Sequence, residues 1–383
     1  MNRRLFLQTA GVLAAASCWS AAWAAAPIKV AVMIPQSGPA GMFGPASRAS
    51  AELAAERINA RGGILGRPVE LLFGDAGLPP AEAAQAALRL WKGQGAVALV
   101  GQHDSAVRGA IAGMLKGKIP FIYTPVNEGG SCAPGVYAIG ETPQQQLAPV
   151  IPWLASQRQP KKWYLIGNDY VWGRNTHAAA KTYIAQTGAE IVGEEFLPFT
   201  VDNFDASLAR IRDSGADAVL VSLVGGASVS FNKAFASFGL ADQALRLGTL
   251  IEENTLAGMG AANARNLYSS AGYFANLETP DAKEFAEAYA SRFGAQAPMM
   301  SGIAESTYEG LLALEALANQ AGSLEVAAMD AASDGTRYRG PRGEVTFGGR
   351  HVAQDIYVAE VGEHGFRVLE TFTSVPAGQD CKV

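Results

Sequence analysis

Beyond residue 27 the chain alternates two hydrophobic rhythms. IKVAVMI (28–34), VELLFGD (69–75), AVALVG (96–101) and IPFIYT (119–124) are short, nearly continuous apolar runs with the length and β-branched content of buried strands. Between them, PASRASAELAAERINA (45–60), PAEAAQAALRLWK (80–92) and SAVRGAIAGMLKG (105–117) space their apolar positions as helices do, the first ending at Arg61-Gly62-Gly63. A second series starts near Gln144. It runs KKWYLIGND (161–169), a helix at 174–187, AEIVGEEFLP (189–198), a helix at 204–214, ADAVLVSLV (216–224), a helix at 228–238, LRLGTL (245–250) and NLYSSAGYF (266–274). Strands and helices taking turns at this spacing predict an α/β chain of two doubly wound units, each a parallel sheet with helices on both faces. Two long helical patterns, 281–293 and 302–320, follow without strands. GEVTFGG (343–349), DIYVAEVG (355–362) and FRVLETFT (366–373) then alternate like an antiparallel meander.

No Gly/Ser linker separates the two series, so the chain is expected to cross between lobes several times, giving a stiff hinge and a cleft. Ligands of doubly wound sheets sit outside the carboxyl ends of the strands. That rule makes the loops after 101, 122, 167, 223 and 249 the candidate site.

The first 27 residues follow a different pattern. Arg3-Arg4 precede Leu5, Phe6 and Leu7, no charge follows until Lys29, and Ala22-Trp23-Ala24 offers small residues for a signal peptidase. These are the parts of a secretory signal over 1–24, with the paired arginines of the twin-arginine type. The competing reading, a membrane anchor, is weakened by Ser, Thr, Gln and Gly in a run that is only weakly apolar. A lipoprotein form at Cys18 lacks the usual Leu three positions upstream. Cleavage leaves about 359 residues and moves the net charge from −5 to about −7, because Arg3 and Arg4 leave with the leader. A mildly acidic chain of that length suggests two domains. It has no basic stripe for nucleic acid and no later run long enough to span a membrane. The expected location is the periplasm.

Cys132 and Cys381 then remain, in a compartment where disulfides persist, and a bridge between them is expected. His103, His177, His351 and His364 are scattered and no CxxC or HExxH occurs, so neither a metal nor another cofactor is expected.

Within the candidate loops, Gly101-Gln102-His103-Asp104-Ser105 leads into a helix, with Ser105 near its N-cap, where free N–H groups favour an anion or a carbonyl oxygen. A capping serine alone is the plainer alternative. His103, Asp104 and Ser105 carry the names of a hydrolase triad, but neighbours in sequence cannot converge as a triad does, and there is no GxSxG turn. Tyr123-Thr124-Pro125 holds Thr124 extended at a strand end. Tyr170 and Trp172, in GNDYVWGR (167–174), make a wall for a small flat ligand, with a core aromatic cluster as the alternative. Val224-Gly225-Gly226-Ala227-Ser228 is a glycine-rich turn without P-loop or GxGxxG spacing. Glu252 or Glu253, after the strand ending at Leu250, faces the cleft or starts a solvated helix.

These loops, in this order, resemble the branched-chain amino-acid-binding class of periplasmic solute-binding proteins, and within it the urea- and short-chain-amide-binding branch. The resemblance is carried by VAVMIPQSGP (31–40), AELAAERINARGGILGRPVELLFGDAG (51–77), YTPVNEGGSC (123–132), LIGNDYVWGRN (165–175) and GAEIVGEEFLPF (188–199), with later support in 273–294 and 304–314. It implies a type I periplasmic binding protein fold with two lobes joined by three crossovers, the first lobe over 27–139 and 276–325, the second over 140–275 and 328–383. It also implies an inner-membrane ABC permease as partner, a small-molecule solute as ligand, no catalysis and no nucleic acid. Ser105 and Thr124 fall where the family binds the ligand's polar head, and Tyr170 and Trp172 where the branch has aromatics over it. His103 and Trp172 depart from the branch's usual tyrosine or phenylalanine, so the resemblance names a class rather than a substrate. Ligand contacts are expected from His103, Ser105, Tyr123, Thr124, Tyr170, Trp172, Gly225 and Glu252, and the ligand among urea, a short-chain amide and an amino acid. The alternative reading is a ligand-sensing regulator of the amide-binding type, which acts in the cytoplasm and so fits poorly with a leader. An amide hydrolase needs a nucleophile beside a base, and no such pair is legible.

Overall fold

The structure is a computed structural model that describes residues 26–101, 104–130, 132–362 and 365–378. The leader, its cleavage site, Cys18, His103, His364 and Cys381 lie outside the described residues.

The first series folds as β1 (Ile28–Ile34), α1 (Gly44–Ala60), β2 (Val69–Asp75), α2 (Pro80–Leu88), β3 (Ala98–Gly101), α3 (Ser105–Leu115), β4 (Phe121–Tyr123) and β5 (Val136–Ala138). The helical pattern of 80–92 ends sooner than expected, in a wide π turn over 89–93. Two short helices the sequence did not signal, α4 (Pro143–Leu147) and α5 (Val150–Arg158), open the second series. There follow β6 (Lys162–Asn168), α6 (Val171–Gln186), β7 (Glu190–Leu197), α7 (Asp205–Asp213), β8 (Ala218–Ser222), α8 (Gly225–Ser237), β9 (Leu245–Gly248), α9 (Glu253–Met259) and β10 (Leu267–Ala271). The chain closes with α10 (Pro280–Phe293), α11 (Gly302–Ala321), α12 (Val326–Ser333), β11 (Arg337–Gly340), β12 (Gly343–Gly348), β13 (His351–Gly362) and β14 (Gly365–Val375).

Strand order is β2-β1-β3-β4-β5 in one half and β7-β6-β8-β9-β10 in the other, all parallel, as apolar runs buried on both faces require. β13 lies antiparallel to β10, carries β14 on its other side and touches β5 through His351 and Ala138, so it joins the two halves. β11 and β12 form a hairpin on the start of β13. Residues 328–348, expected in the second lobe, sit instead on the first sheet. There α12 packs on α11 and the Asp330 carboxylate binds Arg350 at 2.6 Å and the Tyr137 hydroxyl at 2.7 Å. The hairpin itself is tied to α11, Tyr338 OH donating to Glu309 Oε2 at 3.0 Å and Arg342 Nε to Glu305 Oε2 at 2.9 Å, contacts that its own alternation does not reveal.

Each half has one point where strand order reverses. In the first it lies between β1 and β3, in the second between β6 and β8. Helices on opposite faces part there, and a crevice opens at the carboxyl ends. The two crevices face each other.

In the second half, a buried polar chain ties α6 to the sheet. His177 Nε2 lies 3.0 Å from Ser222 Oγ, and His177 Nδ1 lies 3.1 Å from Glu194 Oε1. The order is that of a Ser–His–acid triad, but Ser222 and His177 are fully buried, which withholds the hydroxyl from any substrate. Burial lowers the His177 pKa to about 4, outweighing the pull of Glu194. The unfolded imidazole takes its proton near pH 6.5, the folded one only near 4. Stability is therefore expected to fall as pH drops through that window, by up to about 3 kcal/mol from this group, and to level off below it. Denaturant titrations at pH 7 and 4.5 check this: His177→Gln should lose less on acidification than the wild type, and equal losses would contradict it.

Cys132 is disulfide-bonded. The tail approaches its loop, since Thr142 Oγ1 donates to Ala377 O at 2.9 Å and a Cβ at Gly129 would rest 3.6 Å from the Thr142 methyl. We propose Cys381 as the partner. A non-reducing digest of the exported protein should join the Cys132 peptide to the C-terminal one. Two free thiols would contradict the pairing.

Candidate functional site

The facing crevices enclose a cavity of about 260 Å³. The first half supplies Pro35, Pro39, Ala40 and Phe43 after β1, Ala76 to Pro80 after β2, Asp104, then Tyr123, Pro125 and Val126 after β4, and Ile303 at the start of α11. The second half supplies Tyr170 after β6, Phe199 after β7, Val224 after β8 and Leu250 after β9. The walls are mostly apolar, and five prolines hold the first half's loops without offering N–H donors. Tyr170 and Phe199 pack with ring centroids 4.7 Å apart and planes tilted by 51°, forming one continuous aromatic wall.

Polar groups gather beside Tyr123. Asp104 caps α3, its Oδ1 accepting from Val107 N at 2.9 Å. Ser105 donates to Glu128 Oε2 at 2.6 Å, and Glu128 also pairs with Arg108, whose guanidinium lies 4.7 Å over the Tyr123 ring. Burial raises the pKa of Tyr123, and that of Tyr170, so both phenols stay neutral and can donate.

A second, smaller chamber of about 20 Å³ lies at the hinge and shares Pro125, Val126, Leu250 and Ile303 with the first. Its other walls come from both lobes and the crossovers and carry several polar side chains, among them Thr124, Gln146, Thr249, Glu252, Tyr273 and Arg342, beside the apolar Ile251 and Ala271.

The expected site residues separate into groups. Tyr123 and Tyr170 line the main cavity. Thr124 and Glu252 line the hinge chamber. Glu252 is also the cap of α9, its two oxygens accepting from Thr255 N at 2.8 Å and Asn254 N at 2.9 Å, so the helix start it makes is buried rather than solvated. Ser105 is the first residue of α3 and is committed to Glu128; Asp104 is the cap. Trp172 stands behind Tyr170, fully buried against Val126 and Val224, so it backs the wall and is absent from the lining. Gly225 opens α8 with φ +54°, and a Cβ there would fall 2.4 Å from Pro39 O of the opposite lobe. It marks where the lobes touch. His103 lies outside the described residues.

The sequence reading missed the loops after β1 and β2, and Phe199, Leu250 and Ile303. The first omission was avoidable, because β1 borders the switch point and its carboxyl end had to face the crevice. Among the described residues no group of His, Cys, Asp and Glu could hold a metal ion, and no helix is long and apolar enough to cross a membrane.

A family model described as "Periplasmic binding protein" matches residues 27–365. The chain is 27% identical over 349 residues to Leu/Ile/Val-binding protein homolog 6 of Brucella melitensis, covering 88% of each chain. It superposes with a TM-score of 0.84, at 24% identity, on the solute binding protein of an ABC transporter from Rhodopseudomonas palustris HaA2 in complex with p-hydroxybenzoic acid, over 92% of this chain and 98% of that one. An amino acid ABC transporter substrate-binding protein from Pseudomonas fluorescens Pf-5 gives 0.81 at 20% identity, over 94% and 100%. At these identities the solved structures show the fold: two doubly wound α/β lobes.

Proposed function

Since this chain belongs to the periplasmic binding protein family, we propose that it is the exported receptor of an ABC importer, closing two lobes on a small organic solute and presenting it to an inner-membrane permease. One observation carries the reading: a single apolar cavity is built jointly by the switch-point loops of both lobes, so a ligand in it bridges them and favours the closed form. The export leader at 1–24 and a periplasmic location belong to the same reading.

The ligand has an apolar body. Urea would leave the proline and aromatic walls unfilled, whereas a short-chain amide or an apolar amino acid covers more of them, and a flat ring can stack on Tyr170. The p-hydroxybenzoic acid held by the Rhodopseudomonas protein is of that shape. Tyr123 and Asp104 meet the ligand's polar edge from the first lobe; Tyr170 covers it from the second with Trp172 behind. Ser105 acts indirectly, by fixing Glu128 and so the Arg108 layer over Tyr123.

A thermal-shift screen of amides, amino acids and aromatic solutes identifies the ligand, because binding to the folded state alone raises the melting point. Calorimetric titration of Tyr170→Ala then tests the cleft. Losing a buried ring should cost roughly 1.5–3 kcal/mol, or about 10- to 150-fold in affinity. Unchanged binding in Tyr170→Ala and Trp172→Ala together would place the site elsewhere.

A further inference from the structure

We infer that the hinge chamber is a subsite for an N–H donor head, so that the solute is a primary amide or amine on a flat apolar body and not a carboxylate. The inference rests on the receptor reading above and specifies its ligand.

Three side-chain atoms on the chamber's lining residues are buried without a hydrogen-bond partner among the described residues: Gln146 Oε1, Thr249 Oγ1 and Tyr273 OH. Buried polar atoms rarely stay unpaired, so each asks for an occupant. Gln146 is the most informative. Its amide nitrogen donates to Thr249 O at 2.7 Å and to Ser270 O at 2.8 Å, which fixes the amide so that its oxygen is the free end. An oxygen acceptor needs a donor, and a carboxylate has none. The two hydroxyls can accept as well as donate, so together with the Gln146 oxygen, which only accepts, the set is satisfied by the hydrogens of –NH2 or –NH3⁺ and only in part by a carboxylate.

Charge agrees. Glu141 and Glu252 stand in the lining, and the one cation among its described residues, Arg342, is bound to Glu305 Oε2 at 2.9 Å, to Gln354 Oε1 at 2.7 Å and to Glu141 Oε1 at 3.4 Å. An anionic head would have to compete with these groups for Arg342. Size agrees as well: about 20 Å³ admits one group the size of a water molecule, which an amino group is. The four residues common to both chambers put this head within reach of a body seated between Tyr170 and the prolines.

Benzylamine, benzamide and benzoate share one ring and differ in the head, so calorimetric titration of the full mature protein with the three isolates it. Benzylamine or benzamide should bind at least tenfold more tightly than benzoate. Thr249→Val and Gln146→Leu should each remove most of that preference, and Thr249→Ser should keep it. Melting curves of the ligand-free variants report whether they fold. Benzoate binding equally or more tightly would overturn the inference and point to Arg108 as the anchor. So would a preference unchanged in folded variants, or no binding by any of the three. In each case another solute from the screen whose affinity falls in Tyr170→Ala would leave the receptor reading standing, and no such solute would sink that reading as well.

Discussion

Gly225→Ala should weaken solute binding by about 10- to 100-fold while leaving each lobe folded. Two effects act at this position. Its φ of +54° is a left-handed conformation that costs an L-residue roughly 1–2 kcal/mol. In addition, the new methyl would stand 2.4 Å from the carbonyl oxygen of Pro39 across the cleft. Real Cβ atoms do not approach oxygen that closely, so the lobes must part by a fraction of an ångström or more. The strain of the first effect is local to the start of α8, whereas the clash exists only when the lobes are closed. Affinity should therefore fall further than stability does. Calorimetric titration with the solute found by screening, beside a denaturant titration of the ligand-free protein, separates the two. A stability loss with unchanged affinity would mean that the contact with Pro39 plays no part in closure.

Arg342→Met should destabilise the protein by about 3–5 kcal/mol, the usual result of stranding buried carboxylates by removing their cation. The guanidinium is buried and reaches Glu305 on α11, Glu141 on the first crossover and Gln354 on β13, and its own backbone N–H donates to Glu309 Oε1 at 3.0 Å. Burial already holds the Glu305 carboxyl well above the usual carboxylate range, so loss of the arginine would leave it protonated at neutral pH. The deficit should then shrink as pH falls, because the remaining carboxylates take up protons and cease to be charged. Denaturant titration at pH 7 and 5.5 reads both effects. A loss below about 1 kcal/mol would show that removing the guanidinium strands no buried charge.

How these residues meet was only partly legible from the chain. The strand–helix alternation, the parallel sheets and a cleft at the carboxyl ends follow from period and composition, because a run such as IKVAVMI can bury both faces only inside a layered sheet. Tyr123, Thr124, Tyr170 and Glu252 were placed on lining loops by the same logic. Their division between a larger cavity and a smaller hinge chamber was not legible. It depends on which side chains of one loop turn toward which neighbour, and Thr124 and Tyr123 are adjacent in sequence yet face different chambers.

Trp172 shows the same limit. Spacing puts it beside Tyr170, but α6 begins between them, and helical geometry turns the indole inward against Val126 and Val224. Ser105 stood where a free helix terminus invites a ligand, until Glu128, 23 residues on, claimed its hydroxyl. The sequence by itself determined the two-lobed α/β architecture and several of the loops that border the cleft, since local period and burial are properties of short segments. Tertiary structure alone decided which atoms are free to bind, that Gly225 is a point of contact between lobes, and that Arg342 joins three distant segments. Pairing, burial and approach at those places arise between residues tens to hundreds of positions apart, and no local pattern records them.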